Sequence, residues 1–272
     1  MTKRILITND DGIDAPGLQA LHAAVKNEWD VLVVAPLSER SGAGCSLSLS
    51  NEMKVVERHS EGKLFGYAVD GTPADCVKFA MTALNKYSPD FVLSGINCGM
   101  NAGNSVFYSG TVAGAIEATL FGIPAMACSL ACWHYPVAFY DDAAQVVARL
   151  LPWLVAQERQ PRTLWNMNIP NRRFDEIGPI RMTTHGTSFF VDDFELKRQD
   201  EEARYYRNVG QRLVACDQHP DSDDRSIQVG EVSLSLLKTN LTVNIPETAA
   251  TNLEHTWNAL LRGGRKGDGV TT

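Results

Sequence analysis

The chain has 272 residues, with 25 Lys+Arg against 32 Asp+Glu for a formal net charge of −7, and 44% of its residues are hydrophobic. That much apolar surface can be buried as a core, which excludes a chain disordered along its length. Net negative charge without clustered Lys/Arg excludes a general coat for nucleic-acid polymers, so phosphate chemistry would need positive charge from a metal ion or from backbone N–H groups.

Residues 4–8 (RILIT) form a short apolar run. After a turn comes PGLQALHAAVKN, in which Leu18, Leu21 and Val25 are spaced for one helix face and Pro16 lies near the start. Residues 30–35 (DVLVVA) form a continuous apolar run of the kind buried in a parallel sheet, so the opening reads as a βαβ unit. Residues 46–50, 53–56 and 64–69 read as extended. Thr72-Pro73-Ala74-Asp75 opens a helix to about residue 87: Thr72 caps, Pro73 takes the first turn and Asp75 completes a capping box. Residues 90–94 give another buried strand, 95–108 a long Gly/Asn loop, 109–121 a helix and 125–130 a strand. A helix over about 141–157 follows, which Pro152 should kink or divide.

Strands alternating with helices to about residue 170 predict an α/β fold, a Rossmann-like doubly wound, mostly parallel sheet in three α/β/α layers. After Pro170 the pattern changes to short strands over 177–183, 209–216 and 230–237 around a charged stretch at 192–207. An amphipathic helix over about 250–262 carries Leu253, Trp257, Leu260 and Leu261 on one side. The expected organisation is a metal- and phosphate-binding core at 1–170, an extension with a β-hairpin and terminal helix at 171–262, and a disordered tail at 263–272. No run reaches the ~18 apolar residues of a membrane helix, and MTKRILITNDDG turns polar too early for a secretory leader. Six scattered cysteines (Cys45, Cys76, Cys98, Cys128, Cys132, Cys216) without CxxC spacing read as reduced, mostly buried thiols, hence a cytoplasmic home.

In a doubly wound sheet, ligands bind at the carboxyl ends of the strands where strand order reverses. Three loops should meet there: Asn9-Asp10-Asp11-Gly12 after the first strand, Ser38–Gly44 with Ser41 and Gly42 after the second, and Gly95–Asn104 with Asn97 and Asn101 after the strand at 90–94. An Asp-Gly turn would by itself explain Asp10, Asp11 and Gly12. Two adjacent carboxylates repel, however, and a cation between them relieves that repulsion. With the Ser41 hydroxyl and the Asn97 amide oxygen, the donors on offer are all oxygens, which favours a hard divalent ion; the six histidines lack zinc-site spacing. The segment SGINCGMNAGN leads into Ser109-Gly110-Thr111, where an N-cap serine would suffice but free N–H groups also make an anion pocket. Neither GxxxxGK[ST] nor GxGxxG is present, which disfavours an NTPase or dinucleotide site.

Taken in order, ILITNDDGIDAPG, VVAPLSERSGAG, YAVDGTPADCV, DFVLSGINCGMNAGNSVFYSGTVAGA and IPAMACSL resemble the SurE family, the stationary-phase survival proteins that act as 5'-nucleotidases. The resemblance covers about residues 4–131. It implies a metal-dependent phosphomonoesterase that hydrolyses nucleoside 5'-monophosphates, with one divalent cation, Mg²⁺ or Mn²⁺, per subunit. It maps the ion onto Asp10, Asp11, Ser41 and Asn97, of which Asp10, Asp11 and Asn97 are the expected catalytic residues. The phosphate pocket maps onto Asn101, Ser109, Gly110 and Thr111, with Gly42 of the second loop beside them. It further implies a homodimer or homotetramer built through the C-terminal extension. The C-terminal third departs from the pattern: where members carry Thr-Asp, Gly-Tyr and Ser-Ile-Thr-Pro-Leu, this chain reads SDDRSIQVGEVSLSLLKTN, and only Asp223/Asp224 and residues 232–236 keep the outline. Two other classes stay open on residues alone. One is a non-catalytic nucleotide-binding module; the other is an aspartyl-phosphate phosphatase of the haloacid-dehalogenase type, which wants its two aspartates two residues apart.

Overall fold

The computed structural model describes residues 3–49, 52–84, 87–132, 135–158, 160–209, 212–214 and 219–263. Strand β1 (Arg4–Thr8), helix α1 (Pro16–Val25) and strand β2 (Asp30–Pro36) make the opening unit. There follow β3 (Val55–Ser60), β4 (Lys63–Val69), α2 (Pro73–Thr82), β5 (Phe91–Cys98), α3 (Gly110–Leu120), β6 (Ala125–Ala131), α4 (Tyr140–Ala156) and β7 (Thr163–Pro170). The remainder holds β8 (Ile180–Thr183), β9 (Phe189–Val191), β10 (Phe194–Gln199), β11 (Arg204–Asn208), β12 (Arg212–Val214), α5 (Asp223–Gln228), β13 (Val232–Lys238) and α6 (Glu247–Gly263).

Among the described residues, nine strands form one sheet in the order β3-β4-β2-β1-β5-β6-β7-β13-β8. From β4 through β7 every neighbouring pair is parallel; β3 is antiparallel to β4, and β13 is antiparallel to β7. The chain moves outward from β1 through β2 to β4, then crosses to β5 on the other side of β1. The order therefore reverses between β1 and β5, and the crevice this opens lies beyond Thr8 and Cys98. Period-2 alternation splits the core into two layers. Ile5 and Ile7 pack with Leu18, Leu21, Val147 and Leu151 of α1 and α4, while Leu6 packs with Val77, Val112 and Ala115 of α2 and α3. Each such fully buried Leu or Ile stabilises the fold by roughly 1.5–3 kcal/mol. One compact unit runs to Thr239 and a second starts at Asn240. The second unit carries α6, on which Leu253 and Trp257 are exposed.

Several elements differ from the sequence reading. Residues 46–49 form no strand, because their polar groups cap α2 instead: Thr72 Oγ1 donates to the Ser46 carbonyl, and Ser48 donates through N–H and Oγ to the Asp75 carboxylate. The expected capping box is present, with Asp75 N–H donating to Thr72 Oγ1 and Thr72 N–H to Asp75. Helix α2 stops at Thr82, not near residue 87, where the Tyr87 hydroxyl donates to the Ile5 carbonyl and fixes that residue against the sheet. The third loop is shorter than read, since β5 continues to Cys98 and a 3-10 turn occupies Gly103–Phe107. Pro152 does not divide α4, which runs through it; Pro152 lies on the exposed side, where a missing backbone bond is tolerated best. The charged stretch at 192–207 is largely an antiparallel hairpin of β10 and β11. In the strand expected at 209–216, residues 210–211 and 215–216 lie outside the described residues, as does the expected tail from residue 264 on; Gly263 closes α6. Cys76, Cys128 and Cys132 are buried free thiols, whereas Cys45 and Cys98 are exposed; Cys216 lies outside the described residues.

Candidate cation and phosphate site

The first loop is shaped by Asn9, whose side chain closes a turn on Gly12: Nδ2 donates to the Gly12 carbonyl at 2.9 Å and Oδ1 accepts the Gly12 N–H at 3.2 Å. Gly12 sits at φ 103°, which a side chain would make strained. This turn sets Asp10 and Asp11 at the carboxyl end of β1. The second loop is tied to the first by Arg40 N–H donating to the Asp10 carbonyl at 2.7 Å, and to the third by Gly44 N–H donating to the Tyr108 carbonyl at 3.1 Å. The three loops thus meet on one rim.

In β5 the pairing with β6 shifts register between Ser94 and Asn97. Such an irregularity re-aims the residues beyond it, and Gly95 makes it possible: a Cβ there would lie 2.2 Å from the Cys128 carbonyl oxygen. Asn97 Nδ2 donates to the Gly99 carbonyl at 2.6 Å. Cys98 N–H donates to Asp11 Oδ2 at 3.3 Å, so the end of β5 is latched to the acidic pair.

Asp10 is 4% exposed. Its carboxylate accepts from the Thr111 hydroxyl and from the backbone N–H groups of Gly110 and Thr111 at the start of α3. Ser109 is the N-cap and accepts the Val112 N–H at 3.1 Å. The positive end of α3 is therefore aimed at Asp10 itself. Even so, burial pushes the Asp10 carboxyl up. Burial, then the charge of Asp10 and that of Glu39, push Asp11 up to about 7. Two carboxylates with this much uncompensated charge are what a bound cation would relieve. Ser41 Oγ donates to Glu39 Oε1 at 2.7 Å.

A cavity of about 710 Å³ lies over this rim, and Asp10, Ser41, Gly42, Asn97, Asn101 and Ser109 all line it. Thr111 and Gly110 reach the rim through Asp10, and Asp11 through Cys98. Asn101 is 6% exposed and firmly held: its N–H donates to Asn168 Oδ1, its Nδ2 to Ser129 Oγ, and its carbonyl accepts from Asn166 and Asn168. Asp223, fully buried, accepts the N–H groups of Gly103 and Gly186 and so clamps the far end of the same loop. The sequence reading missed these supports and also Phe189, Asp192 and Asn208, which line the cavity from the region after Pro170. The polar alternation in WNMNI carried a signal: Asn166 and Asn168 occupy every second position of an otherwise apolar strand.

The fold and the site together define an α/β protein whose ligand crevice lies at the topological switch point, lined by oxygen donors and acidic at its centre. Residues 5–192 match the family model described as "Survival protein SurE". The chain is 39% identical over 242 residues to the 5'-nucleotidase SurE of Carboxydothermus hydrogenoformans, covering 88% of this chain and 91% of that one. It is 40% identical over 242 residues to the 5'-nucleotidase SurE of Pelobacter propionicus, covering 88% and 94%. The crystal structure of the SurE protein from Aquifex aeolicus superposes with a TM-score of 0.78 at 32% identity, covering 92% of this chain and 99% of that one. The chain belongs to the SurE family. That assignment extends the similarity well past residue 131 and removes the haloacid-dehalogenase alternative.

Proposed function

We propose that this chain is a divalent-cation-dependent 5'-nucleotidase that hydrolyses nucleoside 5'-monophosphates to nucleoside and phosphate. Its relatives carry the name 5'-nucleotidase SurE, and metal dependence is general to that family. The observation that carries the site is the adjacent pair Asp10 and Asp11, both pushed up by burial, with Asp10 in the wall of a cavity large enough for a nucleotide. Asp10 and Asp11 hold the ion with the Ser41 hydroxyl and the oxygen of Asn97, whose nitrogen is already engaged on Gly99. An all-oxygen donor set suits Mg²⁺ or Mn²⁺. When bound, such an ion neutralises charge on a phosphoryl oxygen as a Lewis acid.

The chain's own groups supply orientation. Asn101, the backbone at Gly42 and the Ser109 hydroxyl at the start of α3 receive the remaining phosphoryl oxygens, while Gly110 and Thr111 act through Asp10; Asn101 is kept in place by Asn166, Asn168 and Ser129. Phosphoryl transfer depends chiefly on such positioning and on electrostatic stabilisation. Asp10 is fixed by Thr111 and the two N–H groups, which suits an ion-holding carboxylate, and water is the nucleophile. The exposed Leu241, Val243, Ile245, Leu253 and Trp257 support assembly into a homodimer or homotetramer through the C-terminal extension. Among the described residues no helix is long and apolar enough to cross a membrane, and we assign the protein to the cytoplasm.

Phosphate release from AMP, GMP and p-nitrophenyl phosphate, with Mg²⁺, Mn²⁺ or EDTA, tests this reading. The expected result is activity with an ion, loss in EDTA and recovery on adding the ion back. Asp10→Asn is expected to lower kcat at least ~10²-fold. Hydrolysis that survives EDTA, or none with any divalent ion, would overturn the proposal.

A further inference from the structure

Cys98 and Cys132 lie at the ends of adjacent strands. In the β5–β6 ladder Cys98 pairs with Leu130, and the Leu130 carbonyl accepts both the Gly99 N–H at 2.8 Å and the Cys132 N–H at 2.7 Å. The second of these bonds curls the chain back, so that the backbone nitrogens of Gly99 and Cys132 share one acceptor and Cys132 sits beside Cys98 at the strand end. Tyr140, in the first turn of α4, closes the group with its hydroxyl 3.9 Å from Cys132 Sγ. Its ring is seated over Gly17, where a Cβ would lie 2.9 Å from it. Cys132 is 3% exposed, whereas Cys98 is exposed and forms part of the cavity wall. Cys98 also follows Asn97 and donates its N–H to Asp11.

We infer that Cys98 and Cys132 are a modification site: oxidation joins them in a reversible disulfide, which pulls the end of β5, Asn97 with it, away from Asp11 and so weakens cation binding. The second half of this inference rests on the ion-holding role proposed for Asp11 and Asn97. With a peroxide as oxidant, the Cys98 sulfur attacks one peroxide oxygen; the O–O bond breaks, the leaving hydroxide takes the Cys98 thiol proton as water, and Cys98 becomes a sulfenic acid. The Cys132 sulfur then attacks the sulfenic sulfur. The S–S bond forms, the S–O bond breaks, and the Cys132 proton departs with that oxygen as water. In sum, two thiols lose two electrons, and one peroxide becomes two waters. Burial pushes the Cys132 thiol up to about 12, so the exposed Cys98 meets the oxidant first and Cys132 resolves it. Closing the sulfurs to the ~2.05 Å of a disulfide draws on the end of β5, whose Cys98 N–H is the latch to Asp11.

The test oxidises the full chain with hydrogen peroxide, maps cysteines by peptide mass spectrometry, and titrates Mn²⁺ before and after. Expected are a cross-linked peptide pair holding Cys98 and Cys132, a fall of at least tenfold in Mn²⁺ affinity, and recovery of both properties with dithiothreitol. Cys132→Ser should abolish the cross-link and the reversible loss, while Cys45→Ser should leave them as in the parent. The mapping on the parent chain does not depend on either variant. Oxidation ending at Cys98 alone, a cross-link to any other cysteine, or a Cys98–Cys132 disulfide with unchanged Mn²⁺ affinity would each overturn the inference. A reduced chain that binds no Mn²⁺ at all would instead overturn the function proposed above, and is told apart because it precedes any oxidation.

Discussion

Gly110→Ala separates the site from the fold. Gly110 opens α3 at an ordinary helical position, without positive φ, so alanine is acceptable to the backbone and can add up to ~1 kcal/mol of helix preference. A Cβ there, however, would lie 2.8 Å from Asp10 Cβ, 3.0 Å from Oδ2 and 3.2 Å from Cγ. Carbon atoms in contact sit roughly 3.5 Å apart, so Asp10 must move by about 0.7 Å. It cannot yield freely, being held by Thr111 and the start of α3. Metal-ligand distances tolerate only about ±0.2 Å, and disturbing a ligand's support costs roughly 10–100-fold in affinity or activity. The clash costs about 1–3 kcal/mol, partly offset by the helix preference, so the variant should melt modestly below the parent and stay folded in the assay while its Mn²⁺ half-saturation for AMP hydrolysis rises at least tenfold. Initial rates against Mn²⁺ concentration, beside a thermal melt, read both. Parental Mn²⁺ dependence in the folded variant would refute the reasoning, and so would a loss of activity explained by unfolding at the assay temperature.

Three further outcomes are expected. Between about pH 4 and 7 the native cation-free protein keeps a proton on Asp11 that the unfolded chain has already released, and burial of Asp10 acts in the same direction. Its stability from these groups therefore falls as pH rises through that window; urea melts at pH 5 and 7 should show a shallower decline in Asp11→Asn, and added Mn²⁺ should stabilise more at pH 7 than at pH 5. Asp223→Asn turns an amide N–H₂ toward the N–H of either Gly103 or Gly186, which should destabilise the fold by about 1–3 kcal/mol and raise KM for AMP by loosening the loop around Asn101; an unchanged urea midpoint would contradict this. Thr72→Ala removes the cap on α2 and its bond to Ser46, a loss of about 1 kcal/mol with kcat unaffected, checked by denaturant melts beside steady-state rates.

Much of the molecule was legible wherever local chemistry decided the outcome. Thr72-Pro73-Ala74-Asp75 specifies its own helix start, since cap, first-turn proline and box partner all lie within four residues. The convergence of Asp10, Ser41, Gly42, Asn97, Asn101 and Ser109 followed from strand–helix alternation, because a doubly wound sheet puts the carboxyl ends of β1, β2 and β5 on one rim. Non-local partners were not legible. Residues 46–49 have an extended look, yet Ser48 is drawn to a carboxylate 27 positions away. The continuation of β5 to Cys98 depends on a register shift against β6, and the seating of Asn101 depends on Asn166 and Asn168, far along the chain. The role of Asp223 likewise needs the loop at Gly103, 120 residues earlier, to be in place.

Anomalous diffraction from crystals soaked in Mn²⁺ would examine the site at its most exposed point. One peak is expected within ~2.0–2.4 Å of carboxylate oxygens from both Asp10 and Asp11, with Ser41 and the Asn97 oxygen completing the shell. An ion bound away from these four side chains, for instance at Asp223 and Asp224, would contradict it, as would crystals that hydrolyse AMP with no ion there.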